Sequence, residues 1–115
     1  MRSTPLMPTI RTAADLGLRL RTAADIPDLI GAAYGADSVI LHADDLAPEF
    51  LDLRSGLLGE LFQKATNYRL PLALVLADTD AYGPRFSELA LEHRQHPLIC
   101  FFDSEEAARA WLERV

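Results

Sequence analysis

Three groups of residues have the types and spacing to do chemistry. The first centres on Ser55, which precedes Gly56 and an amphipathic run through Leu57, Leu58, Leu61, Phe62, Ala65 and Tyr68. That spacing predicts a helix, and it puts the hydroxyl at the positive end of the helix dipole. Such a hydroxyl either caps a free N–H or accepts a phosphate, which would meet the helix start and Arg54. Phosphorylation would add about two negative charges beside Asp52, enough to eject an acidic or apolar partner.

The second group is acidic. Three apolar segments run into aspartate: VILHA into Asp44 and Asp45, LALVLA into Asp78 and Asp80, and LICFF into Asp103. In a parallel sheet these ends share one edge, where α/β proteins bind ligands. Converging carboxylates (Asp44, Asp78, Asp80, Asp103) could hold Mg²⁺ for phosphoryl chemistry. Taken singly, the same residues serve as turn and cap residues, and no phosphate loop or lysine completes the site.

The third group is His93 and His96, an i,i+3 pair, with His42 after a predicted strand. Two such histidines can ligate zinc, but no third ligand lies nearby in sequence. Cationic histidines at a helix C-terminus also suit the dipole. The chain has no G-x-S-x-G elbow, Walker loop or G-x-G-x-x-G, so no cofactor is expected.

The elements that must position these groups follow from periodicity. Thr9 to Thr12 and Leu16 to Leu20 read as two short strands of a hairpin, with a turn at Ala13 to Asp15. The pentapeptide RTAAD at Arg11 recurs at Arg21 and then stops, so no solenoid follows. Asp25 reads as an N-cap with Pro27 in the first turn, opening a helix that ends at Gly35. Ser38 to Leu41 is a strand, and Asp44, Asp45 and Pro48 begin a loop or helical turn. The central helix is expected over Ser55 to Tyr68, with a Glu60–Lys64 pair in the favourable order. Gly56 and Gly59, one turn apart, suggest close backbone approach to a sheet or partner.

Leu72 to Leu76 reads as a strand buried on both faces or central in the sheet. Pro84 opens a helix that turns Phe86, Leu89 and Ala90 inward. Leu98 to Phe102 is the last strand. Asp103 and Glu106 form a capping-box-like pair before a final helix that presents Ala107, Ala108, Trp111 and Leu112. Helices alternating with strands imply parallel pairing, and the N-terminal hairpin would make the sheet mixed. Residues 1 to 8 read as a loose leader and 9 to 115 as one α/β domain.

Bulk properties narrow the function. A chain of 115 residues, half of them hydrophobic, can bury one core without staples. The net charge is −6, and the eleven Lys and Arg are scattered, which argues against nucleic acid and anionic membrane surfaces. Cys100, the single cysteine, sits in a predicted core strand and reads as a buried hydrophobe. The N-terminus lacks a signal h-region, and the longest apolar run is far short of a membrane span. A reducing cytoplasm fits best.

Phe50, Asp52, Leu53, Ser55, Gly56, Leu57, Gly59, Glu60, Gln63, Lys64, Asn67, Tyr68 and Arg69 together resemble the signature of a bacterial family, Domain of Unknown Function 4180. The similarity extends over about residues 10 to 113 and departs at Glu92, His93 and Arg94. The family implies no activity. The layout also resembles STAS domains, in which the serine of an Asp-Ser-Ser-Gly step takes a phosphate. That resemblance implies a phosphoacceptor at Ser55, although Asp52 lies one residue further from the glycine and Arg54 replaces a small residue. The expectation is thus a STAS-like α/β domain of four to five mostly parallel strands. It would act as a non-enzymatic regulatory module, binding a protein partner through Asp52, Arg54, Ser55, Gly56 and Gly59, as a monomer or homodimer. The alternative is a Mg-dependent enzyme or small-ligand binder at the aspartate edge.

Overall fold

The computed structural model describes residues 9–93 and 96–114, with the side chains of Thr79 and Asp80 excepted. The segment at residues 1 to 8, expected to be a leader, lies outside the described residues. Four strands form one sheet in the order β1-β2-β3-β4: β1 (Ile10–Thr12), β2 (Ser38–His42), β3 (Leu72–Val75) and β4 (Ile99–Phe102). Every neighbouring pair is parallel, with Ile40 opposite both Thr12 and Ala73, and Leu74 opposite Phe101.

Six α-helices accompany the strands among the described residues: α1 (Ala13–Leu16), α2 (Asp25–Ala32), α3 (Pro48–Leu51), α4 (Leu57–Asn67), α5 (Pro84–Glu92) and α6 (Glu105–Leu112). A sheet whose order runs one way, joined by right-handed crossovers, receives its connecting helices on one face. In keeping with that rule, Ile26 and Leu29 of α2, Leu58, Leu61 and Ala65 of α4, and Phe86 of α5 pack together. They cover Val39, Leu41, Leu72, Leu74 and Ile99. Successive strand residues point to opposite faces, so Ile10, Ile40 and Ala73 face the other way. There α6 covers them with Ala108 and Leu112. The sheet is therefore covered by α2, α4 and α5 on one face, where Ala13 of α1 and Phe50 of α3 join the same core, and by α6 on the other, and the near-continuous apolar sequences of β2 and β3 reflect burial on both faces.

The expected N-terminal hairpin does not form. Thr12 caps Asp15 N–H at 3.0 Å, and the Asp15 carboxylate accepts the Thr12 N–H at 3.0 Å. This capping box turns Ala13–Leu16 into one helical turn, which ends on Gly17 at φ 70°. Leu16 to Leu20 is not a strand, although buried Leu20 makes an isolated parallel bridge to Leu46. The sheet is consequently all parallel rather than mixed. Two caps also differ by a residue. Asp25 accepts the Arg21 and Thr22 N–H groups and closes the turn before α2 instead of capping it. Ser104, not Asp103, caps α6 by accepting the Ala107 N–H at 3.2 Å.

Within α4, Leu58, Leu61, Phe62 and Ala65 are buried as expected, but Tyr68 is 68 % exposed. The Glu60–Lys64 pair does not come within ion-pair distance among the described residues. Nor do the two glycines mark a close approach to the sheet, since a Cβ at Gly56 or Gly59 would meet nothing of this chain within 4 Å. Gly56 is required instead by its left-handed φ of 77° at the N-cap of α4.

Candidate functional site

Between β2 and α4 the chain makes three short turns that build a surface feature around Ser55. A 3-10 turn (Ala43–Asp45) leads to α3, which Pro48 opens at N1 because a proline lacks only an N–H that would be free there. Phe50 is fully buried and anchors this turn to the core. A second 3-10 turn (Leu53–Ser55) follows, and Gly56 reverses the chain into α4.

The Ser55 hydroxyl lies 2.6 Å from the Glu49 carbonyl and 2.8 Å from the Asp52 carbonyl, and it donates its one proton to this pair. Its oxygen also accepts the Leu57 N–H at 3.2 Å, one of the first-turn donors that have no partner within the helix. The residue is exposed, so the hydroxyl joins α3 to α4 across an open surface. Asp52 accepts the Arg54 N–H at 3.0 Å and the Arg54 Nε–H at 3.2 Å. The side-chain hydrogen bond from Arg54 holds the Asp52 carboxyl below the usual carboxylate range, with the Arg54 backbone N–H adding to it. The Arg54 side chain is 91 % exposed and reachable from solvent.

Beside this junction is an open depression of about 520 Å³, with Leu46, Pro48 and Leu51 along it and Asp44, Asp52 and Arg54 at its charged margin. Tyr82 also borders it. The structure therefore brings Asp52, Arg54, Ser55 and Gly56 together at one exposed corner, with Gly59 exposed in the first turn of α4. The turn at Pro48, which carries Leu46, Phe50 and Leu51, is legible in the sequence, but the role of the Glu49 carbonyl is not. The signal for the turn is the Pro48 helix start with buried Phe50 two residues on.

The aspartate edge is looser. Asp44, Asp78 and Asp103 are exposed, and the side chain of Asp80 lies outside the described residues. Among the described residues no three His, Cys, Asp or Glu side chains lie close enough to hold a metal ion. What does converge at this edge is a chain of polar side-chain contacts. His42 Nε2 is 2.9 Å from Glu105 Oε1 and His42 Nδ1 is 3.5 Å from Asp45, while Glu105 Oε2 accepts from Arg109 at 2.8 Å. Sequence reading placed His42 at a strand end but missed Glu105, because 63 positions separate the two.

His93 and His96 stack at 5.1 Å with their planes 23° apart. Both Nδ1 atoms are engaged by backbone: His93 with the Leu89 carbonyl at 2.9 Å, and His96 as acceptor of the Leu98 and Ile99 N–H groups at 3.0 Å. Burial, then the neighbouring His93, pushes the His96 imidazole below its ordinary value. Cys100 is buried, and burial raises its thiol. No described helix is long and apolar enough to cross a membrane.

The fold and this corner define a small, all-parallel, three-layer α/β domain that presents a serine-glycine step where a turn meets a helix. Residues 9–112 match the family described as Domain of unknown function (DUF4180), and the chain belongs to that family. No curated protein and no solved structure matches the chain.

Proposed function

We propose that the chain is a non-enzymatic regulatory module of the cytoplasm, related to STAS domains in how it works. It binds a protein partner at the Asp52–Gly59 corner and is gated by phosphorylation of Ser55. The observation that carries this reading is the placement of an exposed hydroxyl between two carbonyls and a helix N-terminus. The partner's apolar side chains seat along Leu46, Pro48 and Leu51, and Arg54 and Asp52 set their register.

A phosphate changes this corner in a defined way. The phosphorylated oxygen has no proton to give, so it loses the Glu49 and Asp52 carbonyls and is repelled by them. It is drawn instead to the first-turn N–H groups of α4 and to Arg54, which it takes from Asp52. The α3 turn is released and the floor of the depression moves with it. Quantitative affinity capture from host lysate with wild-type, Ser55→Ala and Ser55→Asp baits tests the gate. The reading expects one partner to be enriched on wild-type and Ser55→Ala baits and depleted on Ser55→Asp. Equal recovery on all three would remove the gate. A Mg²⁺-dependent rise in melting temperature that Asp78→Asn abolishes would overturn the non-enzymatic reading in favour of the carboxylate edge.

A further inference from the structure

A second groove lies at the other end of α4, whose eleven residues span about 16 Å at 1.5 Å per residue. It has a volume of about 470 Å³, and Ile30, Tyr34, Lys64, Tyr68 and Arg69 line it. Tyr34 is 93 % and Tyr68 68 % exposed, the two most exposed large hydrophobic side chains among the described residues. Tyrosine and arginine in one concave patch are the composition of a binding surface.

Two features set the groove apart from ordinary surface. The first is its charge. Neither Lys64 nor Arg69 makes an ion pair or a side-chain hydrogen bond with any described residue, in a chain of net charge −6. Asp37, the acidic residue in the lining, already receives the Thr9 N–H. The second is backbone geometry. Leu70 N–H bonds the Ala65 carbonyl at 2.8 Å and Arg69 N–H bonds Thr66 at 3.0 Å, which is the Schellman pattern at the end of α4. The C′ position of that motif is normally glycine. Here Arg69 occupies it at φ 53°, the one non-glycine residue with positive φ among the described residues. The chain thus holds an arginine in a strained conformation and leaves its guanidinium free at the groove.

Size and spacing choose the occupant. α2 and α4 both finish at this groove, so the negative ends of two helix dipoles lie there, with the Leu29, Gly31, Lys64, Ala65 and Thr66 carbonyls already accepting backbone N–H groups. A compact phosphate would bring concentrated charge to both negative ends and leave the tyrosines uncovered. An extended peptide suits the groove better: single carboxylates spaced along it meet Lys64 and Arg69 separately, and an aromatic ring packs on Tyr34 and Tyr68. We infer that the groove between the C-termini of α2 and α4 docks a short acidic segment of a partner protein that carries an aromatic residue between its carboxylates. This site is independent of the Ser55 gate.

The test is an NMR titration of the full chain with three probes: a capped peptide alternating glutamate and phenylalanine, its counterpart with lysine for glutamate, and sodium phosphate. The acidic peptide should shift amide signals over residues 32–37 and 64–70. Its affinity should fall at least fivefold with Arg69→Gly, with Lys64→Ala and with Tyr68→Ser, and should drop in 0.5 M NaCl. All three residues are exposed and glycine relieves the φ at position 69, so these variants keep the fold. Ser55→Asp should leave the binding unchanged, which separates this site from the gate. Equal binding of the lysine peptide, larger shifts of the same signals by phosphate, or no shifts in the groove at millimolar acidic peptide would each overturn the inference.

Discussion

The Ser55 hydroxyl and the Glu49 carbonyl are 2.6 Å apart, although they stand six positions apart in the chain with the end of α3 between them. This contact closes the α3 turn onto the start of α4, and the Leu57 N–H completes the closure from the other side. Ser55→Ala removes both the donor to the α3 carbonyls and the acceptor for the Leu57 N–H. Losing hydrogen bonds of this kind typically costs about 1 kcal/mol, so urea unfolding should show a destabilisation of that order, with Ser55→Thr recovering most of it. An unchanged midpoint for Ser55→Ala would show that the hydroxyl does not hold the junction.

The two glycines of this corner should respond in opposite directions. Gly59 sits in the first turn of α4 with open space where a Cβ would go, so Gly59→Ala should stabilise by about 0.5–1 kcal/mol. Gly56 has φ 77°, and Gly56→Ala should destabilise by about 1–2 kcal/mol. Thermal melts of both variants check the pair. If Gly59→Ala also weakens capture of the partner, the bare first turn of α4 belongs to the contact surface.

Acid should loosen the start of β4 before it reaches the carboxylates. The His96 imidazole is held below its ordinary value of 6.5, so the unfolded chain takes up a proton near that pH that the folded chain resists. The stability from this shift is complete above pH 6.5 and is lost as pH falls through the folded value. Protonation of Nδ1 also ends its acceptance of the Leu98 and Ile99 N–H groups. Urea midpoints from pH 7.5 to 5.5 should decline more steeply in the wild type than in His96→Asn, which keeps an acceptor but cannot titrate. Parallel declines would rule out His96 as the source. Asp15, Asp25, Asp52 and Glu105, all held below their usual range, contribute stability that is present above about pH 4 and lost in stronger acid.

At the C-terminal edge of the sheet, His42 pins α6 through Glu105, a partly exposed pair whose coupling falls within about 1 kcal/mol. His42→Ala should raise hydrogen exchange in α6 several-fold while leaving α4 unchanged. Uniform exchange across both helices would mean that the pair does not anchor α6 locally.

The alternation of helices and strands was legible because β2, β3 and β4 are short apolar runs between helical periodicities, and the family resemblance was legible in the stretch from Phe50 to Arg69. The hairpin was misread because T-x-x-D at Thr12 and Asp15 serves a turn and a capping box equally well, and only tertiary packing chooses between them. Tyr68 falls at core spacing, yet the Schellman turn at Arg69 swings the chain away before the tyrosine is covered. The candidate corner around Ser55 was half legible. Ser55 and its neighbours are local in sequence, while the Glu49 carbonyl, the Leu46 floor and the second groove depend on contacts that no periodicity encodes.

The most direct measurement is an amide NMR comparison of the chain with serine and with phosphoserine at position 55. The account predicts large shifts confined to residues 46–60, with faster exchange in the α3 turn, slower exchange of the first N–H groups of α4, and an unchanged sheet. Shifts limited to Ser55 and its immediate neighbours, with the α3 turn still closed, would contradict it.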